Sequence, residues 1–286
     1  MIDKLPTQHE LIPNLGTLDR LIRESCEGNE YGKIQRQTEQ LPYYFRAACF
    51  SLNEFEHYRI KTTEAWKEIP EVGPDTQFLL PPELFDPLSF AADSYLFFLR
   101  RVMDSLIAYI SRCPNRQSLP SSMKDLMKGI SLSKYDLEED IVSMLNEYWD
   151  SIGKRVKGYR DQVTHRAIIL SNSIVFNTPK GFGLKMLLPD DPEEKSPSKI
   201  AYNPGIGTMG FFFDSLKQTI QFVNNVVEKL IDLMGSHEPN PRGKGIFGPA
   251  IRGGRLEFSK IKTGEPVPYP IGVMQVLGMA LDGKGK

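Results

Sequence analysis

Apolar residues recur at spacings of three and four along four stretches of this chain, and that period predicts four long amphipathic helices. The first runs from 42 to about 67, with Tyr44, Ala48, Leu52 and Phe55 on one face and Trp66 near its end, before Pro70. The second, from 83 to 112, carries Phe85, Leu88, Ala92, Tyr95, Leu99, Val102, Leu106 and Tyr109. Phe97, Phe98, Met103 and Ile110 lie on its other faces, so it reads as a central helix with neighbours on both flanks. A third begins at Asp136 and repeats through Ile141, Leu145, Tyr148, Ile152, Val156, Tyr159 and Val163. The fourth starts near 209, presents Phe212, Leu216, Ile220, Val223, Val227, Leu230 and Met234, and ends at Gly235.

Shorter signals fill the gaps. Ser122 stands three residues before Asp125, a capping spacing that predicts a short helix. Around 172–188 the period changes to short β-leaning runs about Thr178-Pro179-Lys180-Gly181, which reads as a β-hairpin. The polar stretch DDPEEKSPSK after it reads as an exposed loop. The expected fold is mainly α: a helical bundle of four long helices plus shorter ones, with a small β-hairpin insertion. Residues 1–239 read as one domain and residues 240–286 as a basic, Gly- and Pro-rich extension.

Composition narrows the function classes only a little. A net charge of −1 over 286 residues excludes a globally basic nucleic-acid binder. From residue 240 onward, however, eight Lys or Arg face three acids, a local excess that can attract phosphate or neutralise the acidic body. Cys26, Cys49 and Cys113 are far apart, without the spacing of a disulfide framework or a zinc site. MIDKLPTQHE has no apolar signal core and no apolar run approaches membrane-spanning length, so the expected location is the cytoplasm. GIGTMG (205–210) and GKGIFG (243–248) match a glycine-rich phosphate motif. Neither has the strand–turn–helix setting that the motif needs, although the first opens a helix that could cradle an anion. No cofactor or metal is called for.

Candidate chemistry concentrates in YRDQVTHR (159–166), which packs Arg160, Asp161, His165 and Arg166 into eight residues. Arg100, Arg101 and Asp104 form a second charged group, readable as an intrahelical ion pair or as a polar contact to that octapeptide. Arg160, Asp161 and His165 spell R-D-x-x-x-H, which resembles the R-x(4–6)-H motif of the HEPN superfamily. The resemblance covers the motif and the helical core. It implies an all-α domain and, in catalytic members, metal-independent RNA cleavage across a dimer cleft. Arg160 would then hold phosphate, His165 would move or position a proton, and the RNA 2′-OH would attack. A guanidinium forks onto phosphate oxygens and an imidazole titrates near neutrality. Asp161 would orient His165 from one turn away.

Helix geometry adds a condition. Residues five apart on a regular helix point about 140° apart, so Arg160 and His165 diverge on an unbroken helix. Convergence requires a break at Gly158 or a second subunit, and the catalytic reading therefore expects a homodimer with this segment at its interface. The alternative is a non-catalytic helical binding or assembly protein that keeps the fold without the chemistry. RNA is the expected partner of the first reading. A protein partner such as an antitoxin is left open.

Overall fold

The computed structural model describes residues 6–25, 39–67, 77–112, 118–165, 173–178, 181–194, 196, 199–202, 206–235, 247–252 and 255–260. The chain is mainly helical: α1 (Gln8–Leu11), α2 (Leu15–Glu24), α3 (Gln40–Lys67), α4 (Pro82–Ile110), α5 (Met123–Ser131), α6 (Glu139–Tyr148), α7 (Lys154–His165) and α8 (Thr208–Met234). Strands β1 (Gln77–Leu79), β2 (Ser173–Thr178) and β3 (Gly181–Met186) pair antiparallel in that order, with Phe78 opposite Val175 and Val175 opposite Leu184. Further along, β4 (Phe247–Arg252) pairs antiparallel with β5 (Arg255–Lys260), within the stretch read from sequence as irregular extension.

α4 is the hub. Leu88, Ala92, Tyr95, Leu99, Val102, Leu106 and Tyr109 lose all contact with water, and the helix packs on α3, α5, α7 and α8. Pro82 suits its first turn, where the missing N–H has no intrahelical partner to lose. Pro87 follows one turn later, close enough to the start that only one ladder bond is forfeited. α3 runs antiparallel to α4, its Tyr44 stacked on Phe98 just past the middle of α4. The expected enclosure of α4 is only partial, because Phe90 and Phe97 face water beside α3.

α8 seals the core from the other side with an apolar stripe that also carries Ser215 and Thr219, both fully buried. Their hydroxyls are satisfied from across the core. Tyr95 donates its phenol to the Phe212 carbonyl at 2.7 Å, beside Ser215 at 2.8 Å, and Tyr148 meets Thr219 at 2.8 Å. The Tyr148 ring lies flat on Phe222, centroids 4.0 Å apart. α1 and α2, a region with no helix in the sequence reading, bury Leu11, Leu15, Leu18 and Ile22. Asn224 of α8 holds the Leu11 carbonyl at 3.1 Å. Among the described residues no helix is long and apolar enough to cross a membrane.

Candidate functional site

α6 and α7 form one rod, but the rod is not regular. Residues Trp149–Gly153 make a π-helical turn, so α7 leaves α6 with a shifted face. The sequence period gave no sign of this turn. Gly153 belongs to it sterically: a β-carbon there would lie 3.0 Å from the Tyr148 ring and 3.2 Å from Trp149. The helix starts at Glu139, three residues later than the pattern around Asp136 suggests. The Ser122 cap is as expected, its hydroxyl accepting the Asp125 amide at 3.2 Å.

α7 continues unbroken through Gly158. A β-carbon at Gly158 would sit 2.7 Å from the Pro192 ring and 3.1 Å from its carbonyl oxygen, so this glycine admits a passing strand of chain rather than breaking the helix. Tyr159 donates to the Pro189 carbonyl at 2.6 Å and Gln162 to the Asp191 carbonyl at 3.1 Å. Lys157 reaches Glu193 at 3.5 Å. Residues 190–193, read from sequence as part of an exposed loop, are instead fastened along α7 together with Pro189.

The charged face of α7 meets α4. Arg160 donates from Nη1 to Asp161 Oδ1 at 3.1 Å, and Lys157 Nζ lies 3.3 Å from Asp161 Oδ2. On α4, Arg100 Nη2 lies 3.2 Å from Asp104 Oδ1, which also accepts the Met123 amide at 2.8 Å and so fastens the start of α5. Arg100 stands over the Trp149 ring at 5.9 Å, on the π-turn itself. The ion-pair reading of Arg100 and Asp104 thus holds, within one helix, and the charges of Asp161 and Arg160 act on Arg100 across the helix packing without a direct contact.

Electrostatics follow burial. Loss of water lowers the Arg100 pKa despite the pull of Asp104 and Asp161. Burial raises that of Asp104 against the opposing pull of Arg100. Burial also pushes the Asp161 carboxyl up, but hydrogen bonds from Lys157 and Arg160 and their charges outweigh it and hold that carboxyl below its ordinary range. Two N–H groups of this cluster, Arg100 Nη1 and Arg160 Nε, are buried without a protein partner. A guanidinium N–H in that state is suited to an anionic oxygen or a water.

Of the expected site residues, Arg160 and Asp161 are brought together with Arg100, Asp104 and Lys157. His165 ends α7 five residues beyond Arg160, and its side chain and Arg166 lie outside the described residues. Both oxygens of Asp161 are engaged by Arg160 and Lys157. Lys157 was not singled out from the sequence, although its i, i+4 spacing to Asp161 was the signal that could have found it. Trp149 was not, because its place depends on the π-turn. On the other side of Asp104 a cleft of about 520 Å³ is lined by Arg101, Ser105, Arg112 and Ser118 among others. The Nε of Arg112 there is also buried without a partner. Among the described residues no group of three or more His, Cys, Asp or Glu is placed to hold a metal ion. No family model, curated protein or solved structure matches this chain, so the meaning of the site rests on its own geometry.

Proposed function

We propose that this chain is a HEPN-like helical protein whose Arg160 cluster is one half of an RNA-phosphate site completed by a second copy. In this reading the four long helices form a bundle core and the strands of residues 173–186 are its hairpin insertion. The observation that carries it is the pair of partnerless buried N–H groups, on Arg100 and Arg160, in a cluster spanning two helices. Donors held in place before a ligand arrives can stabilise the charge that develops on phosphate during cleavage. His165 of one copy would serve the phosphate held by Arg160 of the other, since an unbroken α7 keeps the two apart within one chain.

The test is RNA incubated with purified protein in EDTA, beside Arg160→Ala and His165→Ala, with particle mass read by light scattering. The expected result is cleavage by a dimer, reduced about 100-fold or more in each variant. A well-folded dimer that leaves RNA intact sinks the catalytic reading. One observation favours a non-catalytic binding or assembly role instead: Asp161 already occupies Arg160 Nη1. On that reading RNA binds without being cut, or does not bind, and Arg160→Ala changes stability alone.

A further inference from the structure

Exposed rings cross the outward side of the α3–α4 pair. Tyr43 and Phe50 on α3 are 62% and 50% exposed, and Phe90 and Phe97 on α4 are 66% and 41% exposed. The members of each pair are seven residues apart and therefore share a helix face. Between the two ridges Tyr44 stacks on Phe98, and Tyr43 and Phe97 meet those rings edge-on at 5.3 and 5.4 Å. The opposite faces of the same helices are core, through Phe45, Leu52, Ala92 and Leu99. At about 200 Å² per ring, the four rings leave roughly 450 Å² of apolar surface in water. That is within the range of the largest patch on a typical monomer, which is often functional, and about half of what one partner contributes to a standard interface.

Charge decides the kind of partner. Glu83 and Asp86 are exposed at the start of α4, Asp93 lies between Phe90 and Phe97, and Arg101 follows one turn beyond Phe97. Those carboxylates repel nucleic acid and anionic lipid from the Phe90 end. Asp86 and Arg101 are complementary across a two-fold, while exposed Arg46 on α3 and Asp93 on α4 stand nearest the centres of reversal and face their own copies. Reversing α4 about the point between Asp93 and Ser94 lays Phe90 over Phe97 and Asp86 over Arg101. Reversing α3 between Arg46 and Ala47 lays Tyr43 over Phe50. The Tyr44–Phe98 stack sets these two centres about two residues, or about 3 Å, apart along the helices, so one two-fold axis serves both.

We infer that a second copy of this chain docks on this face, α4 against α4 and α3 against α3, both antiparallel. The inference does not rest on RNA chemistry, since an assembly protein would dimerise the same way. Neither Arg160 nor His165 is among the docking residues, so this interface is separate from the one that would complete the Arg160 site. A ring-dependent dimer that leaves RNA intact fails the cleavage reading alone, and a cleaving dimer indifferent to the ring substitutions fails this one alone. The experiment is sedimentation velocity on the full chain from about 1 to 100 μM, with circular dichroism confirming each variant's fold. Wild type is expected to dimerise, and Phe90→Ser with Phe97→Ser to weaken association about 100-fold or more. Asp86→Arg alone should weaken it, and adding Arg101→Glu should restore it. A wild type monomeric throughout overturns the inference, as does a dimer indifferent to both ring substitutions. A monomer that those substitutions merely destabilise would place another segment of the same chain on the face, and also overturns it.

Discussion

Arg100 enters the interior as a cation with only 8% of its side chain in water, paired to an Asp104 that is 13% exposed. Removing one member of such a pair leaves the other charge buried, which costs far more than the pair itself contributes. Arg100→Met is therefore expected to cost about 3 kcal/mol in urea unfolding. Arg100→Met with Asp104→Asn should recover at least half of that, because Asn can still accept the Met123 amide without carrying a charge. Asp93 behaves differently, since burial alone pushes its carboxyl up to about 6, and its Oδ1 has no partner. The folded chain holds that proton between about pH 4 and pH 6, where the unfolded chain has released it. Stability on this account falls as pH rises through that window and stays low above it. Asp93→Asn should remove the fall, so its unfolding midpoint gains on wild type at pH 8 but not at pH 4. Asp161, held low by Lys157 and Arg160, has the opposite sign: its contribution is present at neutrality and fades in acid.

The π-turn is the element that sets the site. One residue more than an α-turn needs is accommodated at Trp149–Gly153, and α7 is rotated accordingly before Tyr159 enters the core and Arg160 meets α4. Deleting exposed Ser151 should return the turn to α geometry with α7 kept on the same face, because it removes the one residue that the π-turn absorbs, whereas inserting one alanine after Ser151 should swing α7 by about 100° against α6. With the insertion Tyr159 and Val156 would leave the core, and a loss of more than about 3 kcal/mol, or of the cooperative transition, is expected in thermal or urea unfolding, while the deletion should cost far less. Ser151→Ala at the same position should change stability by less than about 0.5 kcal/mol. Equal effects from the insertion and the deletion would show that the turn does not fix the register. The sequence stripe ran unbroken through this turn because Tyr148, Ile152 and Val156 all stay buried. The extra residue is taken up in two successive spacings of four, Tyr148 to Ile152 to Val156, which a regular α-helix also shows.

At the scale of the molecule, two surfaces of the α4 hub answer different demands. Its flank toward α7 carries fixed charge within the fold, whereas its outward side carries rings that nothing in the described chain covers. Docking through those rings would couple folding to association, because a partner that binds only the folded form stabilises it by mass action. The unfolding midpoint of wild type should then rise with protein concentration, and that of the Phe90→Ser, Phe97→Ser variant should not.

The long helices were legible because burying an apolar stripe on a helix requires the 3.6-residue period, and α3, α4 and α8 begin within two residues of where the pattern places them. Local chemistry was legible too, in the Ser122 cap. Which polar groups meet was not. Gly158 looks like a helix breaker until Pro192 is packed against it, and Phe97 looks like core until α3 and α4 turn it outward. Arg160 reads as half of a local R-x(4–6)-H pair, yet its described surroundings come from Asp161, Lys157 and a helix sixty residues upstream. Spacing along the chain determined the elements, because local backbone hydrogen bonding and burial of one face are short-range demands. Only the tertiary structure decided the site, because its charges are brought together by helix packing and by one π-turn that the hydrophobic period does not record.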